Sequence, residues 1–157
     1  YQIIHQAGRA NFIEVEKRAK FLLEQNPNAK RYQIFPFLNT SALQMIAGVA
    51  NLIVSRAGAG SLFEIALWGI PSIVIPIPKV VSHDQHTNAF TYARSGGAVV
   101  IEQNNLTPSV LLSEINRLMD NPTLLAKMRA GAKSFARPDA GHLIAEEIIR
   151  LALEHEK

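Results

Sequence analysis

Hydrophobic and polar residues follow two periods along this chain, and the alternation of those periods predicts an α/β fold. Short apolar runs that are rich in β-branched residues and bounded by glycine, proline or asparagine are typical of strands. We predict such strands at residues 1–5, 32–35, 52–54, 72–75 and 98–101. Apolar residues recur at helical spacing in the intervening segments, which predicts helices at 12–25, 40–46, 61–69, 83–95, 108–120, 122–135 and 140–155.

Strands that alternate with helices indicate a parallel sheet, because parallel neighbours need a crossover connection that is usually a helix. We therefore predict a Rossmann-like parallel sheet with helices on both faces. A length of 157 residues with 48% hydrophobic residues suits one domain around one core. Ligands of such sheets bind beyond the carboxyl ends of the strands, so we expect one cleft there. The segments that would form it are 5–8, 36–38, 55–64 and 76–88.

The stretch 51–76 carries the most informative pattern. An apolar run leads into a turn with two glycines, Gly58 and Gly60, and the turn opens a helix that ends at Gly69. A helix start presents unpaired N–H groups and the positive end of the helix dipole, which suits a phosphate. The alternative is that the glycines only make the tight turn between strand and helix. We expect the phosphate donors to be the N–H groups of Ala59, Gly60 and Ser61.

Glu64 follows Ser61 by three residues, and this spacing supports two interpretations. In a capping box, the two side chains would satisfy each other's backbone N–H groups. In a nucleotide site, the carboxylate would accept hydrogen bonds from both hydroxyls of a ribose, as acidic residues do in dinucleotide folds. Arg56, just before the turn, also has two interpretations, since it could reach a phosphate or brace the loop.

Polar side chains crowd the start of the helix after the fourth strand, and they are His83, Asp84, Gln85, His86 and Asn88. Amide and carboxylate groups suit sugar hydroxyls, because each hydroxyl both donates and accepts. The two histidines with Asp84 between them do not match a recognised zinc spacing, so we predict no metal site. No arrangement of serine, histidine and acid indicates a hydrolytic triad.

Charge and composition narrow the class of partner. Sixteen basic and 13 acidic residues give a net charge of +3 from scattered positions, which favours an anionic ligand or lipid surface over nucleic acid. The absence of cysteine excludes disulfides, thiolate chemistry and cysteine zinc sites. No apolar run approaches about 18 residues and no signal-peptide pattern is present, so we predict no membrane span. Because Tyr1 lies inside a strand pattern, we expect a longer parent protein.

Several ordered motifs match one known family. The longest stretches read SRAGAGSLFEIALWGIPSIVIPIP, HDQHTNA and SGGAVVIEQNNLT. The segment 5–8 is similar to an HQ-small-G element and 37–38 to an F-[IL] pair, while 56–64 match R-[AS]-G-A-x-[TS]-x-x-E and 85–89 match Q-x-x-N-A. The chain therefore resembles the carboxyl-terminal half of the MurG family of N-acetylglucosaminyltransferases. One departure is Asp84, where family members often have His or Gln before the glutamine.

The resemblance implies a GT-B glycosyltransferase, in which two Rossmann-like domains enclose a cleft. Residues 1–157 would be the C-terminal UDP-sugar donor-binding domain, with the start of that domain and the N-terminal acceptor domain outside the sequence. The donor would be UDP-N-acetylglucosamine and no cofactor is implied. The acceptor would be lipid I, undecaprenyl-pyrophosphoryl-MurNAc-pentapeptide, which becomes lipid II in peptidoglycan synthesis. The enzyme would lie peripherally on the anionic cytoplasmic face of the bacterial cell membrane.

The resemblance also implies roles for individual residues. Leu38 would contact uracil through its backbone, and Glu64 would hold the ribose diol. Gln85 and Asn88 would bind the hydroxyls of N-acetylglucosamine. The diphosphate and sugar would meet Ala59, Gly60, Ser61, Leu62 and Phe63. Further candidates are Arg56, Gly58, Asp84 and His5. No catalytic residue is expected, because the catalytic base of this family would lie in the acceptor domain, so the chain alone should bind donor weakly and transfer nothing.

Three alternatives remain open. The fold could serve a transferase for another UDP-sugar or another acceptor. The chain could also be a donor-binding subunit that works only with a separate, membrane-attached acceptor subunit. An NAD-type Rossmann domain is the least favoured, because the turn lacks G-x-G-x-x-G and no acidic residue ends the following strand.

Overall fold

The computed structural model describes residues 1–155, except for the side chains of His83 and His155. The strands are β1 (Ile3–Gln6), β2 (Tyr32–Phe35), β3 (Ile53–Ser55), β4 (Ser72–Val74) and β5 (Ala98–Val100). The helices are α1 (Phe12–Leu23), α2 (Thr40–Ala47), α3 (Ala59–Trp68), α4 (His83–Ala93), α5 (Pro108–Met119), α6 (Pro122–Phe135) and α7 (Ala140–His155), and short 3₁₀ helices lie at Ala29–Arg31 and Gln103–Asn105. The hydrophobic pattern therefore predicted each of these strands and α-helices to within a few residues.

The chain divides into two compact units, an N-terminal unit at Tyr1–Gly48 and a C-terminal unit at Val49–Lys157. The N-terminal unit holds the parallel pair β1–β2, and the C-terminal unit holds the parallel sheet β3–β4–β5. The predicted α/β class with parallel strands is confirmed. In place of the single predicted sheet, however, the described strands form two. Residue alternation predicts a strand, but the pairing of strands depends on contacts between segments that are distant in sequence.

The N-terminal unit is built around the β1–β2 pair. Its register runs from Ile3 opposite Tyr32 to Gln6 opposite Phe35, and the Ala7 N–H extends the ladder to the Phe35 carbonyl at 2.9 Å. Helix α2 begins after Asn39, whose side-chain oxygen accepts from the Ala42 N–H at 2.9 Å. The helix starts at the predicted position, Thr40, and the residue before it is an asparagine, which is among the preferred capping residues.

The sheet of the C-terminal unit is covered by helices on both faces, as predicted. Strand β4 is buried along its whole length, and its successive side chains point to opposite faces. One face packs against α3, α4 and α6 through Val74, Leu62, Ala66, Tyr92 and Ala132. The other face packs against α5 and α6 through Ile73, Ile75, Leu118 and Met128.

Local signals end and start the helices of this unit. Gly69 ends α3 with a left-handed backbone (φ 64°), a conformation that favours glycine. Helix α5 starts at Pro108, the predicted position, and Thr107 caps it by accepting from the Val110 N–H at 3.2 Å.

All the large apolar side chains of helix α7 are exposed. These side chains are Leu143, Ile144, Ile148, Ile149, Leu151 and Leu153. Along the same helix, Arg150 forms ion pairs with Glu147 and Glu154, and His142 Nε2 lies 3.0 Å from Glu146 Oε1. Within residues 1–155, no helix combines the length and apolar character that crossing a bilayer requires.

Candidate functional site

The turn after β3 opens α3 with backbone donors that the helix itself leaves without a partner. The cap residue is Gly58, with extended backbone (φ −63°, ψ 134°) and no side-chain capping bond. The first bond back to the cap is from the Leu62 N–H to the Gly58 carbonyl at 3.0 Å. The three N–H groups before it, on Ala59, Gly60 and Ser61, therefore have no partner within the helix. All three residues are exposed, so this helix start is open to an anion where the sequence predicted it.

The two glycines of this turn are required neither by packing nor by backbone conformation. Neither Gly58 nor Gly60 has a positive φ. A Cβ added at Gly60 would meet nothing within 4 Å, and one at Gly58 would meet only the Ser61 Oγ at 4.0 Å. The alternative interpretation, in which the glycines only make a tight turn, is therefore weakened. Their common feature is the open space that they leave beside the helix start.

Glu64 lies one helical turn after these donors, and its side chain is exposed. Of the two interpretations of Ser61 and Glu64, the capping box is wrong, because the helix already begins after Gly58. Ser61 and Glu64 instead lie three residues apart inside α3, on neighbouring positions of one helix surface. Within residues 1–155, the Glu64 carboxylate makes no hydrogen bond or ion pair. Two acceptor oxygens are therefore available beside the open helix start.

Leu62 and Phe63 lie in the same helical turn but have other roles. The Leu62 side chain is 2% exposed in the core, and its N–H is used by the Gly58 carbonyl. The Phe63 ring stacks on Phe135, with ring centroids 5.5 Å apart. Consecutive helical residues point in different directions, which a sequence motif does not show. We therefore assign these two side chains to packing.

Two amide side chains of α4 contact the loops that follow β3 and β4. Gln85 Oε1 accepts from the Ile77 N–H at 3.4 Å, and Asn88 Nδ2 donates to the Ala57 carbonyl at 3.3 Å. No bond is described for Gln85 Nε2 or Asn88 Oδ1 in the described part of the chain, so each amide keeps one group for a ligand. Asp84 is exposed at the start of α4. The predicted polar set also included His83, whose side chain lies outside the described residues.

Arg56 braces the ends of three strands. Its Nη1 donates to the Ile75 carbonyl at 3.1 Å and to Gln103 Oε1 at 2.6 Å. These contacts connect the segments that follow β3, β4 and β5, which supports bracing over the phosphate interpretation. Sequence reasoning missed Gln103 and its neighbour Glu102, whose Oε1 lies 3.9 Å from His86 Nε2. Their position could have indicated them. Both residues directly follow the fifth predicted strand, and ligands of such sheets bind beyond the carboxyl ends of the strands.

The N-terminal unit contains the other predicted site residues, His5 and Leu38. His5 Nδ1 lies 2.6 Å from the Tyr32 hydroxyl on the neighbouring strand, and burial raises the pKa of Tyr32. His5 is thus part of a cross-strand contact. The Leu38 side chain is buried, and its N–H donates to Gln6 Oε1 at 2.8 Å. The convergence of Leu38 with the start of α3 stays a prediction.

The family model described as "Glycosyltransferase family 28 C-terminal domain" matches residues 1–144. The chain belongs to this family. A family 28 relative from Mesorhizobium japonicum, a UDP-N-acetylglucosamine–N-acetylmuramyl-(pentapeptide) pyrophosphoryl-undecaprenol N-acetylglucosamine transferase, is 44% identical over 92% of this chain and 36% of its own length. A protein of the same name from Rhizobium etli is 38% identical over 76% of this chain and 31% of its own length. The chain therefore spans well under half of these relatives.

Solved structures agree with the family 28 assignment. MurG from Acinetobacter baumannii has a TM-score of 0.78 and 31% identity, covering 95% of this chain and 41% of that one. The glycosyltransferase VinC, solved in complex with DTDP, has a TM-score of 0.62 and 21% identity over 87% of this chain and 33% of its own, which supports the fold alone. Both are GT-B glycosyltransferases. The predicted fold class and the predicted resemblance to the MurG family are confirmed.

Proposed function

We propose that this chain is the donor-binding part of a UDP-N-acetylglucosamine-dependent glycosyltransferase of peptidoglycan synthesis. The observation that carries the proposal is the open start of α3 with the exposed carboxylate of Glu64 one turn further on. The names of the relatives from Mesorhizobium japonicum and Rhizobium etli supply the sugar and the acceptor. The full reaction would transfer N-acetylglucosamine to undecaprenyl-pyrophosphoryl-MurNAc-pentapeptide.

The diphosphate would bind at the N–H groups of Ala59, Gly60 and Ser61. These donors are exposed together at the start of one helix, and the helix dipole adds a favourable field for negative charge. Leaving-group departure concentrates negative charge on the diphosphate, so donors fixed before the reaction stabilise the transition state electrostatically. The open space beside Gly58 and Gly60 is what a phosphate needs to approach the backbone.

Glu64 would bind the ribose and not the phosphates. A carboxylate repels a diphosphate but accepts hydrogen bonds from two vicinal hydroxyls. Its place one turn along α3 separates it from the donors by about 5 Å of helix axis, which is the rise of one turn. The base would lie at the Leu38 backbone. The sugar hydroxyls would bind Gln85 Nε2 and Asn88 Oδ1, the two amide atoms that do not take part in the contacts with the loops.

The chain would supply binding and leaving-group stabilisation without a general base. An inverting displacement needs the acceptor hydroxyl to lose its proton as it attacks the anomeric carbon. We propose that the acceptor-binding part of the parent enzyme supplies that base, receives lipid I and associates with the cytoplasmic face of the membrane. The chain alone should therefore bind UDP-N-acetylglucosamine and leave it intact.

Calorimetric titration of UDP into this chain and into a Glu64→Ala variant tests the proposal. We expect the variant to lose about 10- to 100-fold in affinity, the worth of one or two hydrogen bonds to a charged group. The Glu14→Ala variant is the matched control, because Glu14 is an exposed acid in the first turn of α1.

A second ligand isolates the ribose contact. With 2′,3′-dideoxy-UDP, the unmodified chain and the Glu64→Ala variant should bind equally, because the two hydroxyls are missing. Equal affinity of both proteins for UDP itself would rule out the ribose role. A panel of UDP-sugars offered to the intact enzyme would then establish whether N-acetylglucosamine is preferred.

A further inference from the structure

We infer that Gln6 is a positioning residue for the base of the nucleotide, acting through the main chain of Leu38. The inference rests on the proposed function and adds a residue to it. Gln6 is the last residue of β1, and its Oε1 accepts from the Leu38 N–H at 2.8 Å across 32 positions of sequence. Its proposed effect on the base passes through Leu38.

The need for this contact follows from the way β2 ends. The β1–β2 ladder closes with the Ala7 N–H donating to the Phe35 carbonyl at 2.9 Å. The next residue, Pro36, has no N–H and cannot continue a ladder. The chain then turns toward α2, so the Leu38 N–H has no strand partner. The side chain of Gln6 supplies the acceptor that the ladder no longer provides.

Leu38 is consequently held at two points. Its side chain is 8% exposed, while every other residue of 1–48 is half-buried or exposed. Its N–H is held by Gln6, and the next residue, Asn39, is fixed as the cap of α2. No bond to the Leu38 carbonyl is described in residues 1–155. The peptide is therefore oriented with one polar group, an acceptor, available to a base that carries an N–H, such as uracil.

Its neighbour on β1 points elsewhere, which makes Gln6 separable in an experiment. Successive side chains of a strand face opposite sides. His5 accordingly contacts Tyr32 on the partner strand, while Gln6 reaches Leu38. A change at Gln6 can therefore remove the Leu38 contact without removing the His5–Tyr32 contact.

The test compares UDP with ribose 5-diphosphate, which has the same diphosphate and ribose but no base. In the Gln6→Met variant, which keeps the length but loses the acceptor, we expect UDP affinity to fall about tenfold, the loss of one hydrogen bond that orients the binding group. Affinity for ribose 5-diphosphate should stay unchanged. The Gln6→Glu variant keeps an acceptor oxygen at the same reach, so its UDP affinity should stay close to that of the unmodified chain.

Two further variants control for folding. Gln33→Met makes the same change at an exposed position of β2 and should leave both affinities unchanged. Gln6→Asn keeps the amide but is one methylene too short, so it should lose UDP affinity like Gln6→Met even if the latter folds poorly.

The outcomes separate this inference from the proposed function. An equal loss for UDP and ribose 5-diphosphate in both Gln6→Met and Gln6→Asn would mean a merely structural role and would overturn the inference. Unchanged UDP affinity in both Gln6 variants, together with a loss of UDP affinity in Glu64→Ala, would also overturn the inference. In that case the proposed function would survive. If the unmodified chain binds neither ligand, the proposed function fails and the role of Gln6 fails with it.

Discussion

Two places in the C-terminal unit use glycine for opposite reasons. Where α6 passes the connection between α4 and β5, an added Cβ at Gly131 would lie 2.5 Å from the Ser95 carbonyl oxygen, and one at Gly97 would lie 2.7 Å from the Ala132 Cα. Backbone meets backbone there, and no side chain fits. At the start of α3, by contrast, an added Cβ at Gly60 would meet nothing within 4 Å.

The contrast shows how a glycine can indicate a ligand. The fold explains Gly97 and Gly131 completely, because helix α6 could not pack as closely with any larger residue. The fold does not explain Gly58 and Gly60, whose surroundings are open and whose backbone conformation suits any residue. A residue type that the folded chain does not need, placed beside N–H groups that the helix leaves without a partner, supports the diphosphate site proposed above.

The largest effect is expected for Gly131→Ala. The added methyl would overlap backbone atoms that cannot move independently, so we expect the free energy of unfolding to fall by about 3 kcal/mol. Urea unfolding followed by circular dichroism measures this. The control is Gly141→Ala in α7, where an added Cβ meets nothing within 4 Å. Equal stability of the two variants would contradict the close-packing explanation.

Gly60→Ala should have the opposite profile. Alanine in the first turn of a helix should raise the free energy of unfolding by up to about 1 kcal/mol, because it reduces the entropy of the unfolded chain. The same methyl would occupy the space proposed for the diphosphate, so UDP affinity should fall about tenfold, or about 1.4 kcal/mol. A variant that binds UDP as tightly as the unmodified chain would show that no ligand approaches this backbone.

The brace at the strand ends should contribute less. Arg56→Met and Gln103→Ala each remove the 2.6 Å contact between the two side chains. Because both groups are exposed, we expect each variant to lose about 1 kcal/mol of stability and the pair to show a coupling of about 0.5 kcal/mol. A double-mutant cycle by urea unfolding measures the coupling. Strict additivity would mean that the contact does not stabilise the turn.

The smallest effect is expected at the buried end of α4. The Tyr92 hydroxyl is fully buried and is the one such side-chain atom in the described residues without a hydrogen-bond partner. It lies beside Ser72, whose own hydroxyl donates to the Gly97 carbonyl at 3.4 Å. Tyr92→Phe removes an unsatisfied group, so we expect a gain in stability of no more than about 1 kcal/mol.

The same variant should change the dependence of stability on pH. Burial raises the pKa of Tyr92, and the neighbouring Ser72 hydroxyl opposes that shift. The unfolded chain would therefore lose this proton at a lower pH, near the usual tyrosine value of about 10, than the folded chain. Stability should decline as pH rises above that value, and less steeply in Tyr92→Phe. The free energy of unfolding is measured against pH between about 9 and 11, on both sides of that value. Identical slopes for the two proteins would contradict a raised pKa of Tyr92.

Much of the fold was predictable because its signals are local. Helix α3 ended at Gly69 and helix α5 began at Pro108 as predicted, since a left-handed glycine and a capping hydroxyl act within one turn of chain. The exposed donors before Leu62 were predictable for the same reason, because they follow from the order of strand, glycines and helix. The capping-box interpretation of Ser61 and Glu64 also used a local signal. It failed because the helix begins one turn before Ser61.

The sequence by itself determined which segments are helix or strand and which groups stand at the start of α3. Only the tertiary structure decided that Arg56 bonds with Gln103, that Gln6 holds Leu38, that the strands form two sheets, and that Gly131 is a packing residue while Gly60 is not. The physical reason is the distance along the sequence over which each interaction acts. Backbone propensity, capping and periodicity act over a few residues, whereas these contacts join positions tens of residues apart and exist only after the chain has packed.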